Sequence, residues 1–403
     1  MLNWDKIFTI RRNTLRGQAK KMRTHDAQRC IIIDSISKLG EFTRRLAKQR
    51  IIGVDLESDS MYHFKEKVCL IQIASSQATA IIDPLQIKNL SLLEPLFRNA
   101  DIQKVFHGAD YDVRSLYRDF RIAVHNLFDT ELACRFLGFK ESGLNAVLNK
   151  KYNIHLDKKN QRKDWSKRPL PEDMIAYAAK DVHYLIPLAK SLQQELIQKG
   201  RLLWVQEECN YLSGVRPARA DSNPLFLGFK GAGKLSPKEL AVLEELLQLR
   251  RKFARQQDKP LFRIIGNKSI LMLAESRPLS WRKLLETGAL GSKQIDRYGK
   301  EVIAAVKRAH QKPPKDLPKY PRKTPPVVPA IVAKRVKELR NWRDLLARKL
   351  QVDPSIICTR AQISAIAVQR PESVDHLSRN NDLKTWQVAE FGKDIVDILK
   401  KVG

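Results

Sequence analysis

The residues best suited to chemistry are the two carboxylates of Val54-Asp55-Leu56-Glu57. In a strand, side chains two apart share a face, so Asp55 and Glu57 project together while Leu56 points to the opposite, buried side. Adjacent carboxylates repel, which is costly unless a cation lies between them. A third acid, Asp112, closes the run Phe106-His107-Gly108-Ala109-Asp110-Tyr111-Asp112. That run reads as a strand end, a glycine turn and a helix start. Asp112 then falls in a first helical turn near the strand ends, where open α/β sheets build their sites. Taken alone it is accounted for by helix capping. In Tyr177-Ala178-Ala179-Lys180-Asp181 the i, i+4 spacing puts a phenol and a fourth carboxylate on one helical face, and the small alanines let that helix pack closely. Hard oxygen donors of this kind suit Mg²⁺ or Mn²⁺.

The elements that must position these acids can be read from the apolar pattern. Cys30 to Ile33 is a short strand, and Ile36, Leu39, Phe42 and Leu46 give helical spacing over Ser35 to Gln49. Three close strands follow, Ile51 to Leu56, Val68 to Ala74 and Ala78 to Asp83. Their connections are too short for crossover helices, so they pair as an antiparallel meander. Short strands at Lys104 to Phe106 and Asn126 to Phe128, separated by a helix near Asp112 to Phe120, add in parallel to make a mixed α/β sheet. From Leu132 to about Leu212 the pattern is helical, broken by the polar stretch Asp157 to Pro171. Pro171-Glu172-Asp173 marks the start of the helix that carries Tyr177 and Asp181.

Further along, Pro217, Pro224, Gly228, Gly231 and Gly233 mark a linker. Ser236-Pro237-Lys238-Glu239 then opens a helical unit with the spacing of a capping box. Seven prolines in residues 313–329 predict a stiff spacer before a last helical unit of similar size. The two helical units suggest a tandem pair.

The chain has 403 residues, enough for two or three packed domains, and 74 Lys+Arg against 44 Asp+Glu give a formal charge of +30. The charge is segregated. Residues 51–150 hold 11 basic and 13 acidic side chains, whereas 251–350 hold 26 and 8. A basic field gathers nucleic acid through its phosphates, and an acidic cluster inside a basic protein makes sense where cations sit between it and those phosphates. The five cysteines stand singly, none as Cys-x-x-Cys, which argues against a disulfide scaffold or a zinc site and fits a reducing cytoplasm. No apolar stretch approaches the roughly 20 residues of a membrane helix. Residues 1–24 are basic but lack the apolar core of a secretion signal. Gly228 to Lys234 lacks the spacing of a phosphate-binding loop, so no nucleotide cofactor is expected.

In order, separation and setting, Asp55 and Glu57, then Asp112, then Tyr177 and Asp181 resemble the three motifs of the DEDD 3′-to-5′ exonucleases. The histidine version of the third motif would place histidine at position 176, which is Ala176, so the resemblance is to the tyrosine subclass. Phe128-Asp129-Thr130, Asp164-Trp165 and Arg168-Pro169-Leu170 are similar to the ribonuclease D family in particular, and the two helical units resemble its HRDC domains. Leu56 stands where many relatives carry threonine; facing away from the acids, it should matter little. The resemblance covers about Cys30 to the C-terminus. It implies a ribonuclease H-like mixed-sheet exonuclease domain over residues 25–213, after a basic extension at 1–24. A linker at 214–234, a first HRDC domain at 235–312, the proline-rich linker at 313–329 and a second HRDC-like domain at 330–403 complete the chain.

The resemblance further implies a 3′-to-5′ exoribonuclease that releases nucleoside 5′-monophosphates, trimming the 3′ ends of transfer RNA precursors or other small structured RNAs. Hydrolysis of a phosphodiester puts charge on attacking and departing oxygens, which two divalent ions about 4 Å apart can stabilise together. By analogy Asp55 bridges both ions, Glu57 and Asp181 help hold the one that activates water, and Asp112 serves the other directly or through water. Tyr177 orients the water, since an ordinary phenol is a poor base at neutral pH. Tyr62, His63 and Phe64 stand in the loop after Glu57, where aromatics can stack on a terminal base or fold over the core. Lys163 and Arg168 lie in a basic stretch able to grip phosphates. His107 is a further substrate-side candidate, with a strand-end hydrogen-bonding role as the simpler account. The expected partner is RNA, with no membrane, on a monomer. The same fold acting on single-stranded DNA, and a non-catalytic RNA-binding protein, remain alternatives.

Overall fold

The computed structural model describes residues 30–218, 223–321, 329–379 and 382–402. The basic extension and parts of both linkers lie outside the described residues. The β-branched runs form six strands, β1 (Cys30–Ile33), β2 (Ile51–Ser58), β3 (Val68–Ala74), β4 (Thr79–Ile82), β5 (Gln103–Phe106) and β6 (Leu127–Asp129), in the sheet order β1-β4-β3-β2-β5-β6. As the short connections require, β2, β3 and β4 pair antiparallel; β5 joins β2, and β6 joins β5, in parallel. β1 pairs in parallel with β4, a placement that its own sequence does not signal. Every residue of β3 is buried, as expected of a central strand covered on both faces.

The helices around the sheet are α1 (Ile36–Leu46), α2 (Glu94–Arg98), α3 (Asp110–Phe120), α4 (Thr130–Phe136), α5 (Leu144–Tyr152), α6 (Glu172–His183), α7 (Leu185–Gln198) and α8 (Leu202–Ser213). Two helical modules follow. The first comprises α9 (Pro237–Gln256), α10 (Leu261–Ile264), α11 (Asn267–Ser276), α12 (Trp281–Glu286) and α13 (Ser292–His310). The second comprises α14 (Ala330–Leu350), α15 (Pro354–Ile357), α16 (Arg360–Gln369), α17 (Val374–Arg379) and α18 (Thr385–Val402).

The chain divides into two compact units, and the division does not follow chain order. One unit joins the sheet, α1 to α8 and the second module around one large hydrophobic core, with a smaller cluster in which Trp165, Met174 and Ala178 cover Cys69, Leu70 and Ile81. Trp386 of α18 stacks on Trp204 of α8, ring centroids 4.7 Å apart, and meets Phe136 edge-on at 5.6 Å. The Glu207 carboxylate accepts from the N–H groups of Thr385 and Trp386 at 2.8 and 2.9 Å, and Arg201 donates to the Leu350 carbonyl at 2.8 Å. Gly138, at φ +87°, approaches the second module so closely that a Cβ there would collide with the Gln351 carbonyl oxygen.

The other unit contains the first module and the segment Asp59–Lys67 that follows β2. Ser236 begins α9 with the expected capping box, Glu239 returning to the Ser236 N–H at 2.7 Å. The stretch before it, read as linker, contributes buried Phe226, Phe229 and Ala232 to this unit's core. Asp258 just after α9 accepts from His63 Nδ1–H at 2.7 Å and from the Phe64 N–H at 3.1 Å.

Candidate active site

The acids sit where the sheet runs out of partners. β5 pairs with β2 only over Ile51 to Gly53, so Asp55 and Glu57 project beyond it from a strand bonded on its other side to β3, opposite Gln72 and Leu70. Leu56 points into the core as the alternation requires. Gly53 decides how near α6 can come. A Cβ there would lie 3.1 Å from both the Val182 carbonyl oxygen and the Leu185 Cβ, so any side chain would push away the helix that carries Asp181. Asp55, Glu57 and Asp181 each offer a carboxylate oxygen, and these atoms lie within 4.8 Å of one another.

Asp112 enters from the first turn of α3, and a residue outside the acid set aims it. The buried Asp129 carboxylate accepts from the N–H groups of Gly108 and Ala109, both at 2.9 Å, and from those of Glu131 and Leu132 at 2.8 and 3.2 Å. It therefore caps α4 while fixing the turn at Gly108, φ +80°, that leads into α3. Asp129 was legible in sequence only as part of a family-like triplet; neither its cap on α4 nor its grip on the Asp112 turn was. Trp165, buried beneath α6, packs on the Tyr177 ring at 6.0 Å between centroids, and the Tyr177 hydroxyl donates to Asp181.

The electrostatics follow from crowding. Burial raises Asp55 well above the ordinary carboxylate range, with Asp112 and Asp181 adding to it. Burial, then Asp55, does the same to Glu57. Burial and the neighbouring Asp129 push Asp112 up to about 8, and burial takes Asp181 to about 7 against the opposing hydrogen bond from Tyr177. Four acids held this way cannot all ionise without a compensating positive charge. An all-carboxylate set of hard oxygens with neither histidine nor cysteine fits a divalent cation such as Mg²⁺ or Mn²⁺. Tyr177 rises above its usual value through burial and then Asp181, so at neutral pH it is a phenol.

Each of the other sequence candidates has its own surroundings. The half-buried His107 donates from Nδ1 to Thr130 Oγ1 at 2.9 Å, and that hydroxyl donates to the Phe106 carbonyl. Arg168 grips Asp83 through two bonds of 2.5 and 2.8 Å and also bonds the Cys69 and Trp165 carbonyls, so its guanidinium anchors the loop before α6. Lys163 is exposed on that loop. Tyr62, His63 and Phe64 belong to the unit of the first helical module: Arg263 lies over the Tyr62 ring at 4.4 Å, and Phe64 packs against that unit's core.

A 3′-5′ exonuclease profile matches residues 30–197, and an HRDC domain profile matches 239–306 and 332–399. Ribonuclease D of Haemophilus influenzae is 30% identical over 278 residues, 68% of this chain and 69% of that protein. Exosome complex component 10 of Homo sapiens is 32% identical over 258 residues, but this chain spans only 29% of its length. The catalytic core of RRP6 from Trypanosoma brucei superposes with a TM-score of 0.63 at 30% identity, covering 70% of this chain and 80% of that one. Fold and acidic cluster together define the class, a mixed-sheet 3′-5′ exonuclease domain, divalent-metal dependent as a family, followed by paired HRDC modules. The chain belongs to the ribonuclease D family.

Proposed function

We propose that this protein is a divalent-metal-dependent 3′-to-5′ exoribonuclease that releases nucleoside 5′-monophosphates, acting on the 3′ ends of transfer RNA precursors or other small structured RNAs. The observation that carries the reading is the convergence of Asp55, Glu57 and Asp181 to within 4.8 Å, with Asp112 close enough to raise the first two. Asp55, Glu57, Asp112 and Asp181 would hold two ions, Mg²⁺ or Mn²⁺, which when bound would lower the pKa of water and stabilise charge on the attacking and leaving oxygens.

The chain's own groups do the rest. Tyr177, kept as a phenol and tethered to Asp181, orients the attacking water rather than taking its proton. Trp165 holds the ring of Tyr177, and Asp129 holds the turn that aims Asp112. Gly53 sets the closeness of α6 to β2, and so the spacing of Asp181 from Asp55.

The test is a comparison of 3′-labelled and 5′-labelled single strands, RNA and DNA in parallel, with Mg²⁺ and with EDTA. Label released first from the 3′ end of RNA as mononucleotide, only with Mg²⁺, supports the reading. Internal cleavage, release from the 5′ end, or a preference for DNA overturns it.

A further inference from the structure

β3 reads Val-Cys-Leu-Ile-Gln-Ile-Ala, and Gln72 is the one polar residue in a strand covered on both faces. Such strands are ordinarily apolar throughout. Gln72 is fully buried, and neither its Oε1 nor its Nε2 has a hydrogen-bond partner among the described residues. Buried polar groups are nearly always bonded, because a donor or acceptor left unmatched away from water is costly. An apolar side chain of similar volume would fill the position without that cost, so packing does not account for a glutamine here.

The register of the sheet does account for it. Residues directly opposite each other in antiparallel strands share a face, with Cβ atoms about 5 Å apart. Gln72 stands opposite Asp55 of β2 on one side and Ile81 of β4 on the other. Its neighbours along β3 on that face are Leu70 and Ala74, while α6 and the loop before it bring Met174, Ala178 and Trp165 onto Leu70 and Ile81. Of all these side chains only Asp55 carries an oxygen that can accept the amide N–H. The Trp165 Nε1–H, also without a partner among the described residues, is a donor and can meet only Oε1 of the carboxamide. Asp55 itself receives a backbone hydrogen bond from Leu56. A carboxylate that ligates a cation keeps further lone pairs, and donors to them fix how it is turned.

We propose that Gln72 is a positioning residue for the metal site: its Nε2–H group donates to the Asp55 carboxylate and fixes the orientation in which Asp55 meets the cation. The inference rests on the divalent-metal reading given above. Gln72 touches neither cation nor RNA and acts through Asp55.

The test measures Mn²⁺ affinity by electron paramagnetic resonance, and melting in EDTA, for the native chain, Gln72→Met, Gln72→Asn and Ile81→Val. Methionine keeps the volume and removes the amide, whereas asparagine keeps the amide and withdraws it by one methylene. Ile81→Val loosens the packing on the far side of Gln72 without touching Asp55. Gln72→Met is expected to melt in EDTA no lower than the native chain and to bind Mn²⁺ about 10- to 100-fold more weakly. Gln72→Asn should also bind Mn²⁺ more weakly, and Ile81→Val should melt lower with native Mn²⁺ affinity.

Native Mn²⁺ affinity in a folded Gln72→Met or Gln72→Asn overturns the inference and leaves the exoribonuclease reading standing. So does an equal loss of affinity in Ile81→Val, which would make the effect one of packing, and so does failure of both Gln72 variants to fold. A native chain that binds no Mn²⁺ overturns the metal-dependent reading itself, and the role of Gln72 with it.

Discussion

Replacing Asp112 with asparagine should make the metal-free protein more stable while destroying its function. In the folded chain burial, then Asp129, raises Asp112 from 3.8 to about 8, so its carboxyl is largely protonated at pH 7 in the native state and ionised in the unfolded one. A carboxyl whose folded value is raised imposes no penalty at pH below its unfolded value. The penalty grows as pH rises from about 4 to about 8, since the unfolded chain there binds fewer protons. At 1.36 kcal/mol per pH unit the ceiling at pH 7 is about 4 kcal/mol, reduced in practice by relaxation and water entry. Asparagine keeps the shape and cannot ionise. In EDTA at pH 7.5 Asp112→Asn should therefore melt higher by roughly 3 to 10 °C, the gain should vanish near pH 4, and added Mn²⁺ should stabilise the native chain far more than the variant. Scanning calorimetry at the two pH values, with and without Mn²⁺, is the assay. A variant that melts lower than the native chain in EDTA at pH 7.5, or gains equally at both pH values, refutes the account of a strained acidic cluster.

Other outcomes follow from single contacts. Tyr177→Phe keeps the packing on Trp165 but loses the hydroxyl that meets Asp181; it should lower the rate of mononucleotide release by about 10- to 100-fold with little change in RNA binding, measured under single-turnover conditions. Gly53→Ala places a methyl 3.1 Å from the Val182 carbonyl and Leu185; it should cost about 1–3 kcal/mol in urea unfolding and cut activity by displacing Asp181. Trp386→Ala empties the stack on Trp204 and should cost about 3–5 kcal/mol in the unit that contains the sheet, read by the same unfolding curves.

Local pattern carried most of the site. Asp55 and Glu57 were legible because alternation fixes their face, and Tyr177 with Asp181 because four residues make one helical turn; Asp112, which capping alone would explain, was singled out by the family resemblance. What lay hidden depended on contacts between distant segments. Nothing near Trp386 says that it stacks on Trp204, and the β1 run carries no mark of its pairing with β4. Arg168 looked like a phosphate ligand among neighbouring lysines, yet Asp83, 85 residues earlier, engages it. The aromatics after Glu57 allowed two accounts, and their packing in the unit of the first module follows from Asp258, almost 200 residues away. The tandem modules were suggested by length, but their strict offset emerged only from the helix starts, 237 and 330, 267 and 360, 292 and 385, since few side chains repeat.

The most direct test of the central claim is Mn²⁺ binding, followed by electron paramagnetic resonance, together with mononucleotide release from 3′-labelled RNA, on the native chain and on Asp55→Asn and Asp181→Asn. Convergent acids predict that each substitution weakens Mn²⁺ binding and abolishes release while leaving the fold intact. Native Mn²⁺ affinity and undiminished release in either variant would contradict it.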